Sequence, residues 1–151
     1  MQITEVNAVH PDIQMLIATH KAFCEAVSPP EACHAVTTQT PEIEDFRYWL
    51  ASEDGAALGC IALKRLNDDE GEVKTMHVLQ TARGKGAAKA LVERLLTEAR
   101  AENLTRLSLE TGTNAPFAAS RALYARHGFA ECEPFGDYSG HPFSYFMTRE
   151  L

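Results

Sequence analysis

Apolar residues change their spacing several times along this chain, and each change marks an element. Ile3 to Val9 reads as a first strand. Behind Pro11, which suits the first turn of a helix, Ile13, Leu16, Ile17, His20, Cys24 and Val27 recur at helical spacing. Ser28-Pro29-Pro30 stops that helix, because a residue before proline disfavours helical backbone. Glu31 to Thr40 has no clear period, and a short second helix is the expectation there.

Phe46, Tyr48 and Leu50 then alternate with Arg47, Trp49 and Ala51, as in a strand. Asp54-Gly55 turns the chain into a second strand over Leu58 to Leu66. Asn67 to Gly71 turns it again into a third over Glu72 to Val78. Short turns between strands predict an antiparallel meander. From Gly86 to Glu102 the period becomes helical, with Ala88, Leu91, Val92, Leu95, Leu96 and Ala99 as the stripe. Leu104 to Glu110 alternates once more, and Ala118 to His127 forms another helix, stopped by Gly128. Phe129 to Glu133 and Tyr145 to Arg149 complete a mixed α/β sheet with covering helices. Neither repeat nor linker interrupts residues 1–151, so one domain is expected.

Composition narrows the function. A net charge of −7 argues against nucleic acid as a partner, since phosphate backbones are bound by clustered Lys and Arg. An apolar run of membrane-spanning length is missing, and Met1 to Glu5 does not resemble a secretory signal. A cytoplasmic protein is the expectation. Cys24, Cys33, Cys60 and Cys132 are scattered without a C-x-x-C pair, so neither a metal site nor a disulfide framework is expected.

The most informative segment is Val78-Leu79-Gln80-Thr81-Ala82-Arg83-Gly84-Lys85-Gly86-Ala87-Ala88. It leaves a strand, turns through two glycines and enters a strongly patterned helix. A helix N-terminus offers free backbone N–H groups and the positive end of the macrodipole. Gly84 and Gly86 allow close approach of a bulky anion, and Arg83 and Lys85 add positive charge. The combination suits a pyrophosphate. A plain turn with solvated basic residues is the competing reading. The Walker pattern fails at Lys85, and the dinucleotide pattern lacks its third glycine, where Lys89 stands.

With these residues the sequence resembles the GNAT superfamily of acetyl-CoA-dependent N-acetyltransferases. The family signature R/Q-x-x-G-x-G/A reads here as Arg83-Gly84-Lys85-Gly86-Ala87-Ala88. A second landmark, L-Y-x-x-x-G-F, is present as Leu123-Tyr124-Ala125-Arg126-His127-Gly128-Phe129. Phe143-Ser144-Tyr145-Phe146-Met147-Thr148 echoes a small bacterial subgroup of uncertain substrate. The resemblance implies a mixed, mostly antiparallel sheet whose central strands splay apart at a bulge. It implies that Met76, His77 and Val78 pair with the pantetheine arm, and that the amides of Gly84, Lys85, Gly86, Ala87 and Ala88 hold the pyrophosphate. Many relatives carry an asparagine seven residues before the motif tyrosine. Phe117 stands there, which leaves Asn114 as the candidate.

Acyl transfer to an amine requires a neutral nucleophile, a stabilised oxyanion and a protonated leaving thiolate. Tyr124 is the candidate acid, or else a packed tyrosine beside Leu123. Glu72 is the candidate base, on the strand where some relatives carry a catalytic glutamate, or else a solvated end of an acidic turn. His77 is a second base candidate, although strict alternation sets it opposite Glu72 unless a bulge intervenes. Cys60 and Cys132 show no histidine partner for an acyl-enzyme. A backbone N–H near Val78 would meet the oxyanion. Glu31, His34, Asp137 and Tyr138, in two loops, are the substrate-binding candidates; capping the core is their alternative role.

The expectation is therefore an N-acetyltransferase that moves an acetyl group from acetyl-CoA to a primary amine of a small molecule or peptide, without a metal. A non-catalytic acyl-CoA-binding module and a nucleotide-phosphate binder are the alternatives. Homodimers are the commonest soluble assembly and the assembly expected here.

Overall fold

The structure, a computed structural model, describes residues 1–40 and 42–151. Seven strands form one sheet: β1 (Gln2–Val6), β2 (Arg47–Glu53), β3 (Ala56–Arg65), β4 (Glu70–Val78), β5 (Arg106–Gly112), β6 (Ala130–Glu131) and β7 (Ser144–Glu150). Their order is β1-β2-β3-β4-β5-β7-β6, and β4–β5 is the parallel pair among antiparallel neighbours. The helices are α1 (Pro11–Val27), α2 (Ala87–Ala101) and α3 (Ala118–Arg126). This is the mixed, mostly antiparallel sheet that the sequence predicts.

Two cores sandwich the sheet. Leu91, Val92, Leu95 and Ala99 of α2 pack on Trp49, Ile61, Leu63, Leu107 and Leu109. On the other face, Ile13, Leu16 and Ile17 of α1 cover Tyr48, Leu50, Cys60 and Ala62. Each fully buried residue of this size contributes about 1.5–3 kcal/mol. The adjacent pair Tyr48 and Trp49 are both fully buried, because β2 is covered on both sides.

Pro11 opens α1, and His10 Nδ1 accepts from the Asp12 amide at 3.2 Å. Expected boundaries shift by a few residues: β1 ends at Val6, and β6 shrinks to two residues. Between Glu31 and Thr40 the expected helix is replaced. A single 3₁₀ turn over Pro30–Ala32 is followed by irregular chain that brings Cys33, His34 and Val36 inward.

The sheet also parts at its centre. Glu70, Gly71 and Glu72 pair with Arg106, Leu107 and Ser108, and no further pair joins β4 to β5 among the described residues. On its other edge β4 stays paired with β3, but the register slips: Lys74 faces Ala62 while His77 faces Cys60. Two residues, Thr75 and Met76, thus oppose Ile61, which is a bulge. Thr75 has φ 49°, a conformation costly for a β-branched residue.

Candidate active site

Two devices build the site, a turn at the head of α2 and the gap between β4 and β5. Gly84 and Gly86 have φ of 82° and 81°, in the left-handed region that glycine tolerates best. A Cβ built on either would meet nothing within 4 Å, so the space above the turn is open. Gly86 caps α2 without a side-chain hydrogen bond, and the first helical bond runs from the Ala90 amide to the Gly86 carbonyl. The amides before Ala90 therefore point out of the helix with no intrahelical acceptor. The residues fit a diphosphate at that position.

A cavity of about 460 Å³ starts at this turn and runs through the sheet. On the α2 side Arg83, Gly84, Gly86, Ala87, Ala88, Leu123 and Tyr124 line it. On the α1 side its walls include His20, Phe23, His34, Glu72, Lys74 and Glu110. The bulge explains why Glu72 and His77 share that second face: Glu72 pairs with Lys64 and His77 with Cys60, two residues of equal parity on β3. Strict alternation is broken, as a bulge breaks it.

The α1 half holds a buried polar knot. Tyr138 Oη donates to Glu72 Oε2 at 2.5 Å, and Lys74 Nζ donates to Tyr138 Oη at 3.0 Å. Lys74 Nζ also lies 3.4 Å from Glu72 Oε2, whose side chain is 4% exposed. The Glu72 charge is thereby matched by one cation and one hydroxyl. Burial, with the Glu72 carboxylate alongside, pushes the Tyr138 hydroxyl well above the usual tyrosine range.

Glu110 has no cation that close, and burial outweighs the pull of the Ser144 hydroxyl and of the more distant Lys74. Its partner at 3.5 Å is His34 Nδ1, a buried atom with no hydrogen bond among the described residues. Burial holds His34 below its ordinary value, so the ring is neutral near pH 7. Burial also raises the Glu110 carboxyl to about 7. Sequence reading passed over Glu110, since it ends an ordinary alternating strand.

His77 is spent on another contact. Its Nδ1 lies 3.1 Å from Nδ1 of His20, so one ring donates and the other accepts. Burial lowers His77 and takes His20 to about 3. Burial pushes the Cys60 thiol up to about 12, which leaves almost no thiolate near neutral pH.

Tyr124 is 4% exposed and packs edge-on against Phe129, with its body in the α2 core. Burial alone raises its hydroxyl well above the tyrosine range. Met76, His77 and Val78 line the cavity. Lys85 does not: its Nζ reaches Glu53 at 3.3 Å. Lys89, in the first turn of α2, and Arg126, at the end of α3, line the cavity instead. Asn114 also lies off the cavity lining, its Nδ2 donating to the Val27 carbonyl. Glu31, His34, Asp137 and Tyr138 come together around a second cavity of about 470 Å³, which shares His34, Glu72 and Tyr138 with the first. Glu31 there pairs with His141 Nε2 at 3.6 Å.

Comparison with known proteins decides the family. The model described as "Acetyltransferase (GNAT) family" matches residues 16–129. The chain belongs to that family. It is 40% identical over 145 residues to the uncharacterized N-acetyltransferase YedL of Escherichia coli, covering 96% of this chain and 91% of that one. It is 42% identical over 151 residues to the IAA acetyltransferase of Azospirillum brasilense, covering 99% and 97%. A putative acyl-CoA N-acyltransferase from Klebsiella pneumoniae superposes with a TM-score of 0.83 at 28% identity, covering 99% and 97%. This GNAT protein is accordingly an acetyltransferase. No comparison favours a non-catalytic module. Among the described residues no helix is long and apolar enough to cross a membrane, and no cluster of His, Cys, Asp or Glu is arranged for a metal ion.

Proposed function

We propose that residues 1–151 act as one cytoplasmic N-acetyltransferase domain that acetylates a small primary amine by direct attack on acetyl-CoA. The observation that carries this reading is the continuity of the cavity: it joins the α2 turn to Glu110 through the gap that opens beyond Glu72 and Ser108. A cofactor diphosphate at the turn and an amine at the carboxylate would meet where the sheet is parted.

In this reading the amides from Gly84 to Ala88, with Arg83, Lys89 and Arg126, hold the phosphates. Main-chain groups of Met76 to Val78, beyond the bulge, engage the pantetheine arm and the acetyl carbonyl. Glu110 takes the role of base, because a carboxyl near 7 is half ionised at the working pH and can accept the amine proton. Glu72, already bonded to Tyr138 and paired with Lys74, anchors the acceptor pocket.

An acceptor that arrives as ammonium gives one proton to the ionised Glu110. The neutral nitrogen then attacks the thioester carbon, the C–N bond forms and the C–S bond breaks, and the second nitrogen proton passes to the departing sulfur, which leaves as the thiol of coenzyme A. Tyr124, protonated throughout the neutral range, donates a hydrogen bond to the departing sulfur. Direct attack is favoured over an acyl-enzyme because the Cys24 thiol, which lines the cavity 3.7 Å from His20 Nε2, is pushed up to about 12 by burial and stays protonated.

Thiol release from acetyl-CoA, measured against a panel of primary amines, tests the proposal. Amine-dependent release that Glu110→Gln suppresses is the expected result. Tight acetyl-CoA binding with no acetylation across the panel would refute it.

A further inference from the structure

We propose that the acceptor is an arylalkylamine with no carboxylate beside its amino group, bound with its ammonium at Glu110 and its ring among Phe23, Phe117 and Phe143. The inference rests on the acetyltransferase reading above and narrows its substrate.

The first argument is charge. On the α1 side of the cavity stand the carboxylates Glu72 and Glu110, the cation Lys74, and the imidazoles His20, His34 and His77. Burial keeps all three imidazoles toward their neutral forms. Lys74 is committed to Glu72 and to the Tyr138 hydroxyl. Glu110 is therefore left without a cation at ion-pair distance, Lys74 acting on it only from farther away, and it is the carboxylate that faces the orphaned His34 Nδ1. A ligand ammonium supplies the missing charge and a donor. A ligand carboxylate adjacent to that ammonium would add a second buried anion within about 5 Å of Glu110, with no uncommitted cation to meet it.

The second argument is surface. Phe23 and Phe117 meet edge-to-face at 5.4 Å, and both line the cavity. Phe143, at the same cavity, is 42% exposed, unusual for a large apolar ring. Aromatic walls favour a flat apolar body packed at their edges and faces. The third is size. A cavity of about 460 Å³ must also admit the acetyl end of the cofactor, so the acceptor is small.

The decisive experiment compares kcat/KM for phenethylamine, phenylalanine and phenylalanine methyl ester on the full-length protein. The three share ring and chain, and only phenylalanine carries the carboxylate. The expected result is phenethylamine ahead of phenylalanine by on the order of 100-fold, with the ester close to phenethylamine. In Glu110→Gln, activity falls for phenethylamine and the gap narrows. Phenylalanine turned over as well as phenethylamine overturns the inference. So does phenethylamine left untouched while some other amine is acetylated; acetyl transfer then still stands. Acetyl-CoA bound with no amine acetylated at all overturns acetyl transfer itself, and the inference with it.

Discussion

Glu72 and Ser108 are the last residues at which β4 and β5 run paired side by side. Beyond them no further pair joins the two strands among the described residues, and the cavity that reaches Glu110 opens there. Three residues later β4 bulges at Thr75, which restores Glu72 and His77 to one face. The cavity follows this open seam, with the bulged segment Thr75 to Val78 in its wall.

Gly59 holds the strand beyond the bulge in place. A Cβ there would lie 2.5 Å from the His77 carbonyl oxygen and 3.0 Å from the Val78 Cα, both backbone atoms that cannot swing aside. Gly59→Ala is expected to destabilise the protein by about 1–3 kcal/mol. It should also raise KM for acetyl-CoA, because Met76 to Val78 must shift. Thermal melts and steady-state kinetics check both effects.

Glu110→Gln should lower activity and raise stability. The folded carboxyl at about 7, against an ordinary 4.5, holds its proton more tightly than the unfolded chain does. Between those values the native state binds more protons, so stability falls as pH rises through that window. Removing the charge restores on the order of 2 kcal/mol above pH 7. In activity the sign is opposite: kcat/KM rises with pH through about 7 as the base ionises, and the glutamine variant loses that limb. Melting temperature and pH–rate profiles of both proteins decide it.

Tyr124→Phe should leave acetyl-CoA affinity nearly unchanged and lower kcat by roughly 10²-fold, as for loss of a positioned proton donor. Because burial raises the Tyr124 hydroxyl, the wild-type profile should show no alkaline loss from this group below about pH 10. Loss of cofactor affinity with unaltered kcat would assign Tyr124 to packing alone.

Lys74→Met removes the one cation at a carboxylate that is 4% exposed. The expected cost is about 3–5 kcal/mol, the penalty of a stranded buried charge. Adding Glu72→Gln should recover most of it. A double-mutant cycle by chemical denaturation measures the coupling, and additive losses would contradict the pairing.

Much of this architecture was legible in residue order. The two glycines, the α2 stripe and the Leu123–Phe129 segment act locally, so spacing alone exposes them. Tyr138 could be singled out from its loop, yet not its hold on Glu72, which spans 66 positions and exists only once the loop folds onto β4. Glu110 was illegible for a related reason: its chemistry comes from burial beside a neutral His34, and neither burial nor that neighbour is visible along β5. Lys85 and Lys89 show the limit at the turn itself. The nearer lysine turns to Glu53, while the one a helical turn later lines the cavity.

We propose that the turn before α2 grips coenzyme A through its main chain. Calorimetric titration of acetyl-CoA into wild type and into Gly84→Val, Gly86→Val and the double variant tests it most directly. Side chains at φ of 82° and 81° cost about 1–2 kcal/mol each and crowd an otherwise open approach. The wild type should bind, and each variant that keeps its fold by circular dichroism should bind at least about 10-fold more weakly. A wild type that gives no heat with acetyl-CoA, or a folded double variant that binds as tightly as the wild type, would contradict the account.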